Sequence, residues 1–166
     1  MTGRILADGA ILRAAASDDA PGILSCIQAL AVYEREPDAV ENTVEALTET
    51  LFGAEPRAFA HVVERDGEVK AIAVWFLTYS TWTGRHGIWL EDLFVDPEAR
   101  GLGVGKALLV NLAQRCVWEG LGRFEWWVLD WNEPSIAFYK SQGGVMQDEW
   151  TKVRVDGEAL ARLGAP

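Results

Sequence analysis

A strand, a glycine-rich turn and a helix follow one another at residues 88–119, and this succession constrains the chain more than any other stretch. Ile88 to Val95 is an apolar run that reads as a buried strand. It leads into Asp96-Pro97-Glu98-Ala99-Arg100-Gly101-Leu102-Gly103-Val104-Gly105-Lys106-Ala107. From Val104 to Glu119 the spacing of Val104, Leu108, Leu112 and Cys116 gives a helix with one buried face. This order aims main-chain N–H groups of a helix N-terminus at an anion, phosphate above all. Glycines let the backbone come close where a Cβ would clash. The spacing excludes two familiar phosphate binders. A P-loop needs glycine at the position of Arg100 and Ser or Thr at that of Ala107. A dinucleotide fingerprint needs glycine three residues after Gly103 or Gly105, where Lys106 and Leu108 stand. What remains is Arg-x-x-Gly-x-Gly at Arg100, Gly103 and Gly105.

Composition narrows the partners. A net charge of −10 argues against non-specific nucleic-acid binding, which depends on Lys and Arg neutralising phosphates. No apolar stretch is long enough to span a membrane and the N-terminus shows no signal-peptide pattern, so a soluble protein is expected. The two cysteines, Cys26 and Cys116, fall among apolar residues of expected helices and read as small buried thiols, which suits the cytoplasm. No His/Cys cluster has metal-ligand spacing, and no metal is expected. Most of the eight tryptophans are expected in the core or at a subunit interface.

At this length one domain is expected, residues 10–166, after an N-terminal tail, 1–9. Ala10 to Ala15 reads as a strand. Ser17 caps a helix to about Tyr33, with Asp18 and Asp19 in its first turn. A polar loop from Glu34 to Asn42 precedes a helix over Thr43 to Phe52. Strands over Phe59 to Arg65 and Val69 to Tyr79 flank the hairpin signal Asp66-Gly67. A turn region from Tyr79 to Gly87 precedes the Gly87–Val95 strand. After the glycine turn and its helix, which Gly120 and Gly122 stop, come a strand from Phe124 to Leu129 and a short helix opened by Pro134 and ended by Gly143-Gly144. Val145–Met146 and Trp150–Val155 read as final strands, and Gly157–Leu163 as a last helical turn. The order is mixed α/β, hairpins first and a β-α-β-α-β tail after.

The Arg-x-x-Gly-x-Gly turn resembles the acetyl-coenzyme A motif of the GNAT N-acetyltransferases. A second signature lies at Trp131-Asn132-Glu133-Pro134-Ser135-Ile136-Ala137-Phe138-Tyr139, where the family commonly carries Asn before a helix and an aromatic pair with Tyr. With Leu90-Glu91-Asp92-Leu93-Phe94-Val95, Ala31-Val32-Tyr33-Glu34, Phe76-Leu77-Thr78-Tyr79 and Trp82-Thr83-Gly84, the chain resembles the diamine (spermidine/spermine) acetyltransferase branch from about residue 10 onward. The resemblance implies a central mixed, mostly antiparallel sheet flanked by helices, acetyl-CoA as cofactor, a small-molecule amine as substrate, and a homodimer. It implies cofactor contacts at Phe94, Val95, Arg100, Gly101, Gly103, Val104, Gly105, Lys106, Asn132, Ser135, Phe138 and Tyr139. It places the amine near Glu34, Trp82, Glu91 and Asp92. The branch's Tyr-Asp-Pro-Trp is Tyr79-Ser80-Thr81-Trp82 here, so an acid and a proline are lost beside the expected amine pocket. Arg35 adds a cation where the branch is acidic.

Amide formation from a thioester requires that the amine lose a proton and the departing thiolate gain one. Glu91 is the expected base, with Asp92 on the opposite face of the strand as a second amine contact or supporting acid. Tyr139 is the expected donor to the thiolate. His61 and His86 have no evident triad partner and read as structural or solvated. A protein or peptide acetyltransferase and a non-catalytic acyl-CoA-binding module are the alternatives. A pure binder needs neither Glu91 nor Tyr139.

Overall fold

The computed structural model describes residues 3–165, and their contacts form two compact units, one ending at Trp127 and one beginning at Val128. The first unit holds a six-stranded sheet whose spatial order is its sequence order. The strands are β1 (Arg4–Ile5), β2 (Ile11–Ala14), β3 (Phe59–Arg65), β4 (Glu68–Ser80), β5 (Arg85–Val95) and β6 (Phe124–Trp126). Neighbours are antiparallel except β5 and β6, which run parallel. The mixed, mostly antiparallel sheet is the one expected.

Helices α1 (Ala20–Tyr33) and α2 (Val44–Phe52) cover one face. Their Ile23, Cys26, Leu47 and Leu51 pack with Val62, Ile72, Val74 and Phe94. Helix α3 (Val104–Glu119) covers the other, and Val104, Leu108, Leu112 and Cys116 are all buried, as their spacing requires. Fully burying each such aliphatic side chain stabilises the fold by about 1.5–3 kcal/mol. Both cysteines are free and buried, and burial pushes the Cys26 thiol up to about 11.

The β3–β4 connection is the two-residue turn that Asp66-Gly67 specifies, both residues having positive φ (54° and 81°). The next hairpin is longer than expected. Strands β4 and β5 continue to Ser80 and Arg85, extended by a Tyr79–His86 ring contact and by His86 Nδ1 lying 3.0 Å from the Thr78 carbonyl oxygen.

Four expectations are corrected. First, the 1–9 tail contributes Arg4 and Ile5 to the sheet opposite Leu12 and Ile11, because the chain doubles back through Leu6 N–H to Ala10 O (2.8 Å). Met1 and Thr2 of that tail lie outside the described residues. Second, Ser17 is not the helix cap: it lies in a preceding 3-10 turn, Ser17–Asp19, and Asp19 holds the N-cap position without capping the helix through its side chain. The Asp19 carboxylate instead accepts the Ala16 N–H (2.7 Å) and takes Arg13 bidentately (2.6 and 2.8 Å). Third, β6 stops at Trp126 rather than Leu129. Fourth, Val145–Met146 and Trp150–Val155 form no strand among the described residues. Alternating apolar residues favour extended backbone, but a strand also needs a partner's ladder of hydrogen bonds, which sequence spacing does not supply. The second unit instead contains α4 (Glu133–Ser141) and α5 (Gly157–Leu163).

A buried histidine ties stability to pH. His61 Nδ1 accepts from Trp75 Nε1–H (3.1 Å), and the Arg115 guanidinium lies over the Trp75 ring at 4.6 Å. Burial first, and the Arg115 charge second, push the imidazole down to about 4. The folded state therefore holds His61 neutral, while the unfolded chain binds a proton from about pH 6.5 downward. The resulting stability is complete above about pH 6.5 and is lost as pH falls toward 4, by about 2–3 kcal/mol. Urea unfolding at pH 7 and pH 4.5 checks this against His61→Gln, which keeps an acceptor for Trp75 but does not titrate. The acid loss should be smaller in the variant; equal losses would remove His61 from the account.

Candidate functional site

From Ile88 to Leu90, β5 is paired on both sides, with β4 and with β6. Beyond Leu90 the β6 ladder has ended, so the outer edge of β5 from Glu91 to Val95 carries no ladder partner among the described residues. Phe94 and Val95, opposite Ile72 and Ala71 of β4, lie on this stretch. The Val95 carbonyl accepts Arg100 Nε–H at 3.0 Å, drawing the glycine turn against the strand end.

A β-bulge interrupts β5 at its functional end. Leu90 stands opposite Trp75 and Asp92 opposite Val74, which leaves Glu91 as the extra residue. A bulge re-aims the side chains around it. Asp92 shares the face of Val74 and Phe94, the face covered by α1 and α2. Glu91 Oε2 accepts the indole Nε1–H of Trp89 at 2.9 Å, and Trp89 stands opposite Phe76 on that same face. The expectation that Glu91 and Asp92 point to opposite faces is therefore corrected. Strict alternation fails because one residue is inserted between them and the β4 register.

The two carboxylates form an acidic group with Glu34. Burial, then the charges of Glu91 and Glu34, push the Asp92 carboxyl up to about 6. Desolvation also raises Glu34, which follows the last turn of α1 with its N–H on Leu30 O (2.9 Å). Its neighbour Tyr33 carries the Arg100 guanidinium over its ring at 5.4 Å, so the end of α1 and the glycine turn are held together. Trp82 is not brought to this group. It lies 91% exposed at the tip of the β4–β5 hairpin. The strand between that tip and Glu91 spans about 20 Å at ~3.3 Å per residue.

The glycine turn has the local geometry that its sequence requires. Asp96 accepts the Glu98 N–H (2.9 Å), closing the short 3-10 turn Pro97–Ala99. Gly101 and Gly103 both have φ of 77°, a left-handed conformation that side chains disfavour. Gly103 is the N-cap of α3, and no side chain caps that first turn, so its orphan N–H groups face outward. A Cβ at Gly103 meets no atom within 4 Å, so the hollow before the helix is open. An uncapped helix N-terminus behind bare backbone fits a pyrophosphate.

In the second unit, Asn132 is buried and its side chain caps α4 by accepting the Ser135 N–H at 3.3 Å. Phe138 and Tyr139 are half-buried neighbours with ring centroids 5.4 Å apart. Sequence reasoning missed Trp89. A tryptophan two residues before a carboxylate was the available signal, because residues two apart on a strand share a face.

Solved structures share this fold. An integron cassette protein from V. cholerae superposes with a TM-score of 0.78 over 93% of this chain and 97% of its own, at 21% identity. An aminoglycoside acetyltransferase from a soil metagenome does so with a TM-score of 0.75, covering 89% and 96%, at 14% identity. The chain belongs to the acetyltransferase (GNAT) family, whose model matches residues 24–143. It is 34% identical over 164 residues to thialysine N-epsilon-acetyltransferase of Sus scrofa, covering 92% of this chain and 96% of that protein. It is 31% identical over 159 residues to the spermidine/spermine N(1)-acetyltransferase-like protein 1 of Homo sapiens, covering 90% of this chain but 23% of that protein. No described helix is long and apolar enough to cross a membrane.

Proposed function

We propose that the protein transfers the acetyl group of acetyl-CoA to a primary amine of a small cationic molecule, a diamine, polyamine or amino-acid-like amine, by direct attack of the amine on the thioester. The observation that carries this reading is the bulge. It turns Glu91 and Asp92 to one face of the strand whose open edge leads to the glycine turn. The names of the relatives, which concern thialysine and spermidine or spermine, support the same substrate class.

Each residue has a physical task in this reading. The edge at Phe94 and Val95 takes the pantetheine arm. Arg100 and the main chain at Gly101, Gly103, Val104, Gly105 and Lys106 take the pyrophosphate. Asn132, Ser135 and Phe138, in the second unit, are further cofactor contacts in this reading. Acetyl-CoA supplies an acetyl group already activated as a thioester. An alkylammonium has a pKa of about 10.4, so roughly one molecule in a thousand is nucleophilic at neutral pH. Glu91 takes the excess proton, directly or through a water, while Asp92 and Glu34 hold the cation. Tyr139 gives a proton to the departing thiolate, whose pKa is about 8.5 by analogy with cysteine.

The amine is tested by thiol release across diamines, polyamines, amino acids and peptides. Small cationic amines should exceed peptides. Ser80 in place of an acid, and Arg35 beside Glu34, should move preference away from the longest polyamines. Spermine as the best substrate would contradict the reading of those two positions, and a peptide as the best would contradict the class.

A homodimer in the cytoplasm completes the reading. The exposed Val145, Trp150 and Val153 (79, 73 and 85%) support an apolar interface, and the buried free thiols suit a reducing compartment. With Trp82 distant along its own strand, its place in an amine pocket belongs to a second copy. Light scattering at micromolar concentration should give the mass of two chains.

A further inference from the structure

Trp89 has no task in the scheme above, yet it holds the group that scheme depends on. Its indole Nε1–H donates to Glu91 Oε2 at 2.9 Å. The ring is itself fixed: Trp127 meets it edge-on with centroids 4.6 Å apart, and Phe76 lies across the strand at 6.4 Å. Glu91 is an exposed side chain, and a free glutamate there would spread over its rotamers. We propose that Trp89 is the positioning residue for Glu91, resting on the reading of Glu91 as the base.

The chemistry of the donor suits this task. An indole N–H only donates, so it orients a carboxylate without competing for the proton that the carboxylate must take. It is uncharged, so it does not neutralise the carboxylate as Arg or Lys would, and the attraction for an incoming ammonium remains. The bond engages Oε2 and leaves Oε1 for the amine. Residues 89 and 91 stand two apart on one strand, so their side chains share a face, and the bulge brings Asp92 onto that face with them.

The test is a double-mutant cycle read as kcat/KM against pH with a diamine and acetyl-CoA. Trp89→Phe removes the N–H and keeps an aromatic ring. In the wild-type background it should lower kcat/KM about tenfold at neutral pH, the fraction of base catalysis lost when the base is misplaced. The loss should shrink as pH rises toward the pKa of the amine, and the KM for acetyl-CoA should hold. Trp89→His, which returns a ring N–H, should recover part of it. In a Glu91→Ala background, Trp89→Phe should cost nothing further. A merely structural role predicts a loss at every pH and in both backgrounds, and that result overturns the proposal. So does full activity of Trp89→Phe while Glu91→Ala is impaired. Wild-type turnover by Glu91→Ala overturns the base assignment itself, and the proposal with it. If Trp89→Phe does not fold, Trp127→Phe, which loosens the indole, is carried through the same cycle with the same criteria.

Discussion

Gly103→Val should yield a folded chain that no longer takes up acetyl-CoA. The glycine has φ of 77° at the N-cap of α3. A β-branched residue in that conformation costs about 1–2 kcal/mol. A domain with the usual margin of ~5–15 kcal/mol survives this. The added Cβ meets nothing within 4 Å in the chain, so nothing inside the fold is displaced. The isopropyl group instead fills the hollow in front of the uncapped helix N–H groups, where the pyrophosphate is proposed to sit. Strain can also be relieved by turning the peptide out of the left-handed region, which would swing those N–H groups off their target. Steric block and loss of aim act in the same direction, so affinity measured by calorimetry should fall below detection. Gly103→Ala, with a smaller group and a similar φ penalty, should lose less. Unchanged affinity in a folded Gly103→Val protein would sink the assignment of this turn to the cofactor.

The glycine turn was legible because its residues report on the local backbone alone. Positive φ at Gly101 and Gly103, and an apolar face on α3, follow from residue types within a few positions. The Asp66-Gly67 hairpin was legible for the same reason. Features that depend on a partner strand were not. The bulge at Glu91 is a mismatch of count between β4 and β5, so no pattern within β5 alone discloses it. Reading β5 as a strictly alternating strand therefore set Glu91 and Asp92 apart, when they share a face. The expected strands at Val145–Met146 and Trp150–Val155 failed in the same way: they had the spacing and lacked a ladder. At Ser17 the error was of another kind. The local cap signal was present, but the Asp19 carboxylate reaches back to the Ala16 N–H and to Arg13, itself also bound to Glu64 (2.7 Å), and Ser17 falls inside the 3-10 turn so closed.

Glu91→Gln and Tyr139→Phe should both slow acetyl transfer, and the shapes of their pH profiles should tell the two proton transfers apart. Glutamine cannot take a proton. Its loss of rate should be greatest at neutral pH, where roughly one amine in a thousand is free, and should shrink as pH approaches the amine's pKa of about 10.4. Asp92 is the control. It titrates at about 6 and lies on the same face, so Asp92→Asn should chiefly raise the KM for the amine and remove the loss of binding that protonation causes below pH 6. If Asp92→Asn shows the rate defect rescued by alkali and Glu91→Gln does not, the base is Asp92. Tyr139→Phe removes only a hydroxyl from a half-buried ring beside Phe138, so folding and acetyl-CoA affinity should hardly change. Below its pKa of about 8.5 the thiolate still has to be protonated, whatever the state of the amine. The chemical step should therefore fall by roughly 10²-fold, as for loss of a positioned acid, at every pH up to about 8.5, with no rescue as the amine becomes free. Near wild-type turnover by Tyr139→Phe, with chemistry shown to limit the rate, would hand that proton to water and leave Tyr139 as an aromatic support.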